Sequence, residues 1–245
     1  MAKIERVAQA GELVPAKVDV ARAKRGRTVV VYSEGGLGKT RCLASLGLLG
    51  KTLVIDIDGG QESLAGVAGA DNVDVVEARR IEEVDTCYEN LGSGKWKYDC
   101  LAIDTASEFE KLASMDLAGK RGKEFTSLAE YGDGAQKMRE YFRKFKDLAS
   151  RGMHVVFTAH VRSDKEAEGG GLLVMRARPA FTAGFSKEVI RLVDIQAFMV
   201  YDRQEKARYF LLDAGNPAYD AKRRGSVLTD KEPADLAALI TKSLS

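Results

Sequence analysis

The chain has 245 residues, 45% hydrophobic and 30% charged, with a formal net charge of +2. That length suffices for one sizeable α/β domain with a full core, and the near-neutral balance does not by itself demand a nucleic-acid partner. Cys42, Cys87 and Cys100 follow neither a disulfide framework nor a metal-ligand spacing, and they read as reduced, buried thiols. No segment approaches membrane-spanning length, and residues 1–27 carry no signal-like apolar run, so the expectation is a cytoplasmic protein with no membrane partner.

Residues 1–26 alternate weak apolar patches with the cations Arg22, Lys24 and Arg25. They are expected to form an N-terminal arm, either packed on a neighbouring subunit or left as a partly ordered tail. Residues 27–245 are then expected to make one domain. The β-branched run Val29-Val30-Val31 leads into Ser33-Glu34-Gly35-Gly36-Leu37-Gly38-Lys39-Thr40-Arg41, a strand, a glycine-rich turn and a helix start. This is the layout of a phosphate-binding P-loop, in which main-chain N–H groups and a helix N-terminus converge on a polyphosphate. Lys39 is expected on the β- and γ-phosphates and Thr40 on a magnesium ion, with residues 33–41 as the nucleotide-binding set. The usual pattern begins with glycine where this chain has Ser33, at a position that ends the strand.

Leu43, Leu46 and Leu49 continue the helical spacing to Gly50, and residues 52–58 read as a buried strand ending in Asp56 and Asp58. A short helix is expected around Gln61 to Leu64, a strand at Val73 to Val76, and a helix through Ile81, Val84, Tyr88 and Leu91. Residues 96–104 form the second informative stretch, an apolar strand closing on Asp104 in the Walker B manner. In a parallel sheet that carboxylate comes near the P-loop hydroxyl and holds magnesium.

Phe109 and Leu112 open another helix, which runs into the basic loop Gly119-Lys120-Arg121-Gly122-Lys123. Met138, Tyr141, Phe142, Phe145 and Leu148 line one face of the next helix. A strand over residues 153–158 ends at His160, and the glycine-rich segment 162–171 has the composition of a mobile loop. A strand with a basic face (Arg176, Arg178), a helix from Ser186 to Leu192 and a β-hairpin of residues 197–201 and 208–212 follow. Thr229 and Glu232 read as the capping box of a final helix with Pro233 in its first turn.

Through residues 33–40, 55–58, Ile103-Asp104-Thr105, Thr158-Ala159-His160 and Lys222-Arg223-Arg224-Gly225, the chain resembles the RecA-like P-loop ATPases. It is most similar to the short phage nucleotide-binding proteins implicated in single-strand annealing and recombination. The resemblance implies a mostly parallel central sheet flanked by helices, with the hairpin as a C-terminal extension. It implies ATP and Mg2+ as ligands, hydrolysis of ATP, single-stranded DNA as a partner and a homo-oligomer with nucleotide at its subunit interfaces. By position, Asp58 stands where such ATPases carry the glutamate that orients the attacking water, with Glu62 one turn later as a substitute; Asp58 also reads as a simple cap of the following turn. His160 matches the γ-phosphate sensor, or is an ordinary hydrogen-bonded histidine. Lys222 and Arg224 match a pair of cations that relatives insert into a neighbour's site, or form an exposed basic turn. The DNA-binding loops of the resemblance fall on Lys120, Arg121, Lys123, Arg162, Lys165, Arg176 and Arg178, with Phe125 and Phe181 nearby to stack on bases. Two rival functions stand beside this one, a P-loop kinase acting on a small metabolite or nucleoside and a low-turnover nucleotide-sensing assembly protein.

Overall fold

The structure is a computed structural model that describes residues 25–120, 128–167 and 173–245. The arm assigned to residues 1–26 therefore lies almost wholly outside the described residues, as do Arg121, Lys123 and Phe125.

Among the described residues, nine strands share one sheet: β1 (Thr28–Ser33), β2 (Thr52–Asp56), β3 (Val73–Glu77), β4 (Cys100–Asp104), β5 (His154–Ala167), β6 (Leu173–Pro179), β7 (Ile195–Asp202), β8 (Ala207–Leu211) and β9 (Lys231–Pro233). Their order is β3-β2-β4-β5-β1-β7-β8-β9, with β6 added to the far end of β5. The pairings from β3 to β7 are parallel, and β8 and β9 close one edge antiparallel. One strand, β5, stands between β1 and β4.

The helices are α1 (Lys39–Leu43), α2 (Ile81–Gly92), α3 (Ala106–Lys120), α4 (Leu128–Ser150), α5 (Ala183–Leu192) and α6 (Leu236–Leu244). Side chains alternate across a strand, and β1 shows why its run of apolar residues is unbroken. Val30 and Tyr32 pack on one face with Phe109, Met138, Phe145 and Phe185 from α3, α4 and α5. Val29 and Val31 pack on the other with Leu43, Leu46, Leu239 and Ile240. The aromatic face expected of α4 is thus core, and Phe142 stacks on Phe157 of β5 at 4.1 Å between ring centroids.

Four expectations need correction. The helix after the P-loop is only five residues long and tightens into a 3-10 turn, Ala44–Leu48. Gly47 there lies so close to the Gly69 carbonyl that an added Cβ would stand 2.0 Å from its oxygen. The strand expected from Trp96 begins at Cys100. Of the segment read as mobile, Arg162 to Ala167 is strand, because β5 runs past His160 and pairs antiparallel with β6, and residues 168–171 lie outside the described residues. Finally, residues 231–233 form β9, and the last helix starts at Leu236, with the Asp235 side chain accepting from the Ala238 N–H at 3.0 Å. Thr229 and Glu232 do bond to each other, the Thr229 N–H donating to Glu232 Oε1 at 2.6 Å, but this bond ties the residues leading into β9 to the strand itself rather than capping a helix.

Candidate nucleotide-binding site

The P-loop leaves the carboxyl end of β1, where ligands of a parallel sheet bind. Gly36 and Gly38 have φ of 75° and 88°, in the left-handed region, whereas Ser33 is not among the positive-φ residues. Serine therefore fits the position that usually holds glycine. Lys39 Nζ donates to the Ser33 carbonyl (3.1 Å), Ser33 Oγ (3.2 Å) and the Glu34 carbonyl (3.0 Å). Burial pushes the Lys39 ammonium below the usual lysine range, and the carboxylates of Asp104, Asp58 and Glu34 oppose that shift. The far side of the loop is held by a residue that sequence reasoning missed. Arg208 Nε, from β8, donates to the Leu37 carbonyl at 2.6 Å. With Gly38, the exposed Arg41, Cys42 and Asp235, it borders a recess of about 290 Å³ behind α1.

Thr40 and Asp104 meet as the two motifs predict: Thr40 Oγ1 donates to Asp104 Oδ2 at 2.6 Å. The second carboxylate oxygen, Oδ1, accepts from the Thr158 hydroxyl. Burial raises the Asp104 pKa; the bonds from Thr158 and Thr40 lower it, and the neighbouring Asp56 and Asp58 raise it. A hydroxyl and a buried carboxylate beside the P-loop are hard oxygen donors suited to magnesium, which keeps its remaining positions for water and phosphate oxygens.

Asp56 and Asp58 divide the work differently from the simple expectation. Asp56 is the cap: its carboxylate accepts from the N–H groups of Asp58 (3.2 Å), Gly59 (2.8 Å), Gly60 (3.3 Å) and Gln61 (3.1 Å). Asp58 is thereby left to face the phosphate cleft. That cleft, about 210 Å³, is lined by Gly35, Lys39, Thr40, Asp58, Thr105 and His160 among others. Glu62 is exposed on the 3-10 turn Gln61–Leu64 and does not line the cleft, although Ser63 beside it does. His160 Nε2 stands 4.0 Å from Asp58 Oδ2, and the His160 N–H donates to Ser107 Oγ at 3.0 Å, which ties the histidine to the first turn of α3.

The remaining sequence candidates sit elsewhere. Lys222 Nζ donates to the carbonyls of Ile190 (3.0 Å) and Val193 (2.6 Å), closing the end of α5, and Arg224 pairs with Asp194. Both lie toward the amino ends of β1 and β7, since Lys222 bridges Gln196 and Asp194 bonds Thr28, so neither reaches the P-loop of its own chain. Of the cations proposed for DNA, Arg162 pairs with Asp164 and donates to the Phe181 carbonyl at 2.9 Å. Arg176 and Arg178 both pair with Asp220, and Arg178 also reaches Glu166 and Asp164. Lys120 pairs with Asp116. Phe181 is core, edge-on to Phe142 at 6.0 Å and against Phe185 at 5.0 Å. The basic face of β6 is thus an internal ion-pair network, and Phe181 is not exposed for stacking.

A P-loop on a central strand, a Walker B aspartate at its threonine and a single strand between the two define the RecA-like class of P-loop ATPase folds. Residues 25–225 match the family described as "AAA domain", and the chain belongs to that family. It is 23% identical over 153 residues to the SPbeta prophage-derived uncharacterized protein YorG of Bacillus subtilis (strain 168), a match covering 61% of this chain and 45% of that protein. The chain thus spans less than half the length of that relative. Among solved structures it is similar to a KaiC-like protein of the archaeon Pyrococcus horikoshii OT3, with 15% identity, a TM-score of 0.43, and coverage of 76% and 78% of the two chains. No helix among the described residues is long and apolar enough to cross a membrane.

Proposed function

We propose that the protein binds ATP with Mg2+ at the P-loop, hydrolyses it, and couples that cycle to single-stranded DNA. The observation that carries the nucleotide half is the 2.6 Å contact of Thr40 with Asp104 beside a P-loop whose lysine is already turned onto it. The DNA half is supported by the continuity of β5. The same strand that places His160 in the cleft runs on as the β5–β6 ribbon, so one continuous element joins the histidine to the ribbon. On the ribbon face away from Arg176 and Arg178, Lys165 pairs in register with Met175, and Leu173 and Met175 are 66% and 53% exposed. The exposed Lys165 suits a backbone phosphate of a single strand. Arg162, which a kinase reading would use in a lid, is instead turned to Asp164 and the Phe181 carbonyl.

Oligomerisation belongs to the same proposal. Arg224, half-exposed beside Asp194, is the better placed of the two trans cations, because Lys222 is held by carbonyls of its own chain. The reading is tested by steady-state ATP hydrolysis with and without single-stranded DNA at low salt, with Lys39→Ala as control. Hydrolysis that requires Lys39 and rises with DNA supports it. Absence of both DNA binding and stimulation sinks the DNA half, and full activity in Arg224→Ala removes the trans cation.

A further inference from the structure

At the edge of the phosphate cleft, which Asp58 and His160 line, three side chains from three separate elements come together: Asp58 after β2, Glu108 in the first turn of α3, and His160 on β5. One ligand atom from each lies within 4.8 Å of the others, and Asp58 Oδ2 is 4.0 Å from His160 Nε2. Three atoms so spaced share a point no more than about 2.8 Å from each, which is the hydrogen-bonding reach of one water molecule. A magnesium ion makes a poorer fit. It takes hard oxygen ligands, whereas one of the three donors here is an imidazole nitrogen, which suits softer transition metals.

From this geometry we propose that Glu108 is the catalytic carboxylate that takes the proton of the attacking water, with Asp58 and His160 holding that water. The proposal rests on the ATP-hydrolysing reading given above. In the step, the water oxygen bonds to the γ-phosphorus and its proton passes to Glu108. The bond from the γ-phosphorus to the bridging oxygen breaks, and its electron pair leaves on the β-phosphate of ADP. The half-buried Glu108 then returns the proton to solvent.

Two features separate Glu108 from Asp58. Asp58 lines the cleft together with Lys39 and Thr40, on its phosphate side. Glu108 comes from α3 and is not among the residues that line the cleft beside Lys39 and Thr40. Its N–H donates to Thr105 Oγ1 at 3.3 Å, one residue from Asp104, and Lys111 Nζ anchors its Oε1 at 2.6 Å. The glutamate that RecA-like ATPases carry after the second strand is thus replaced in space from the start of the Walker B helix, and its side chain is one methylene longer than that of Asp58.

The test compares Glu108→Gln and Asp58→Asn with the wild-type full chain in three measurements: affinity for a fluorescent ATP analogue with Mg2+, single-turnover hydrolysis, and trapping of ADP with aluminium fluoride. Glu108→Gln is expected to bind the ATP analogue within about twofold of wild type, to lose about 100-fold or more in the single-turnover rate, and to lose the trapped ADP complex. Asp58→Asn is expected to lose less rate. A Glu108→Gln protein that hydrolyses and traps like wild type overturns the assignment while leaving the ATPase reading intact. A wild-type protein that binds nucleotide yet neither hydrolyses nor traps it overturns the ATPase reading and the assignment with it. Manganese bound without nucleotide, and lost in both Glu108→Gln and His160→Gln, would show a cation where the water is placed and also overturns it.

Discussion

Thr40 Oγ1 lies 2.6 Å from Asp104 Oδ2, a contact between residues 64 positions apart in sequence, made because β1 and β4 end side by side across β5. Asp104→Asn keeps the shape but removes the negative charge that Asp104 offers a divalent ion. The expected result is that ATP affinity in EDTA changes little, whereas the added affinity supplied by Mg2+ falls about tenfold or more. Titrations of a fluorescent ATP analogue with and without Mg2+ measure both. An unchanged Mg2+ increment would place the ion elsewhere.

Asp56 satisfies four successive backbone N–H groups, and that network aims Asp58 at the cleft. Asp56→Ala should cost about 2–3 kcal/mol in urea unfolding, since charge-assisted bonds to otherwise orphaned donors are lost. It should also depress hydrolysis, because the loop no longer aims Asp58 at the cleft. A stability loss below about 0.5 kcal/mol would contradict the capping role.

Arg208 grips the P-loop from outside through the Leu37 carbonyl. Being exposed, Arg208→Ala should shift stability by less than about 0.5 kcal/mol. Its effect is expected on nucleotide binding, with several-fold weaker affinity from a loosened loop, as measured by calorimetric titration. An equal loss of stability and affinity would mean that Arg208 acts on the fold rather than on the site.

Arg178 is buried between Glu166 (2.6 Å), Asp220 (2.7 Å) and Asp164 (3.4 Å). Removing it strands their charges, and Arg178→Ala should destabilise by about 3–5 kcal/mol. The pH dependence gives a second readout. Bonds from Arg178 and Lys187 hold the Glu166 carboxyl at about 2, down from 4.5. A carboxyl depressed on folding contributes stability above its unfolded pKa and loses it as pH falls through the folded one. Between about pH 4.5 and pH 2 the wild type should therefore lose stability on this account, and Arg178→Ala should show a shallower acid limb. Parallel acid limbs in chemical denaturation would refute the coupling.

Much of the fold was legible because each central strand announces itself by burial on both faces. Val29-Val30-Val31 and Leu53-Val54-Ile55 are apolar without alternation, and both prove fully buried. The P-loop was legible because its chemistry is local: glycines at positive φ, then lysine and threonine at a helix start. Composition misled where a segment's state depended on its partner. The residues after His160 looked mobile, yet β6 supplies their hydrogen bonds, and the arginines of β6 looked available for phosphate until Asp220, Asp164 and Glu166 were found against them. An ion pair between residues 42 positions apart leaves no periodic trace in a chain.

By itself the sequence determined a P-loop, an aspartate closing a buried strand and the strands that carry them, since both motifs are short stretches whose geometry follows from backbone preference. Only the tertiary structure decided which acids do what. Asp56 and Asp58 are two residues apart at the end of one strand, yet one turns in to cap a loop and the other faces the cleft. Glu108, with no motif to mark it, comes beside Asp58 and His160 because three elements converge at the carboxyl edge of the parallel sheet.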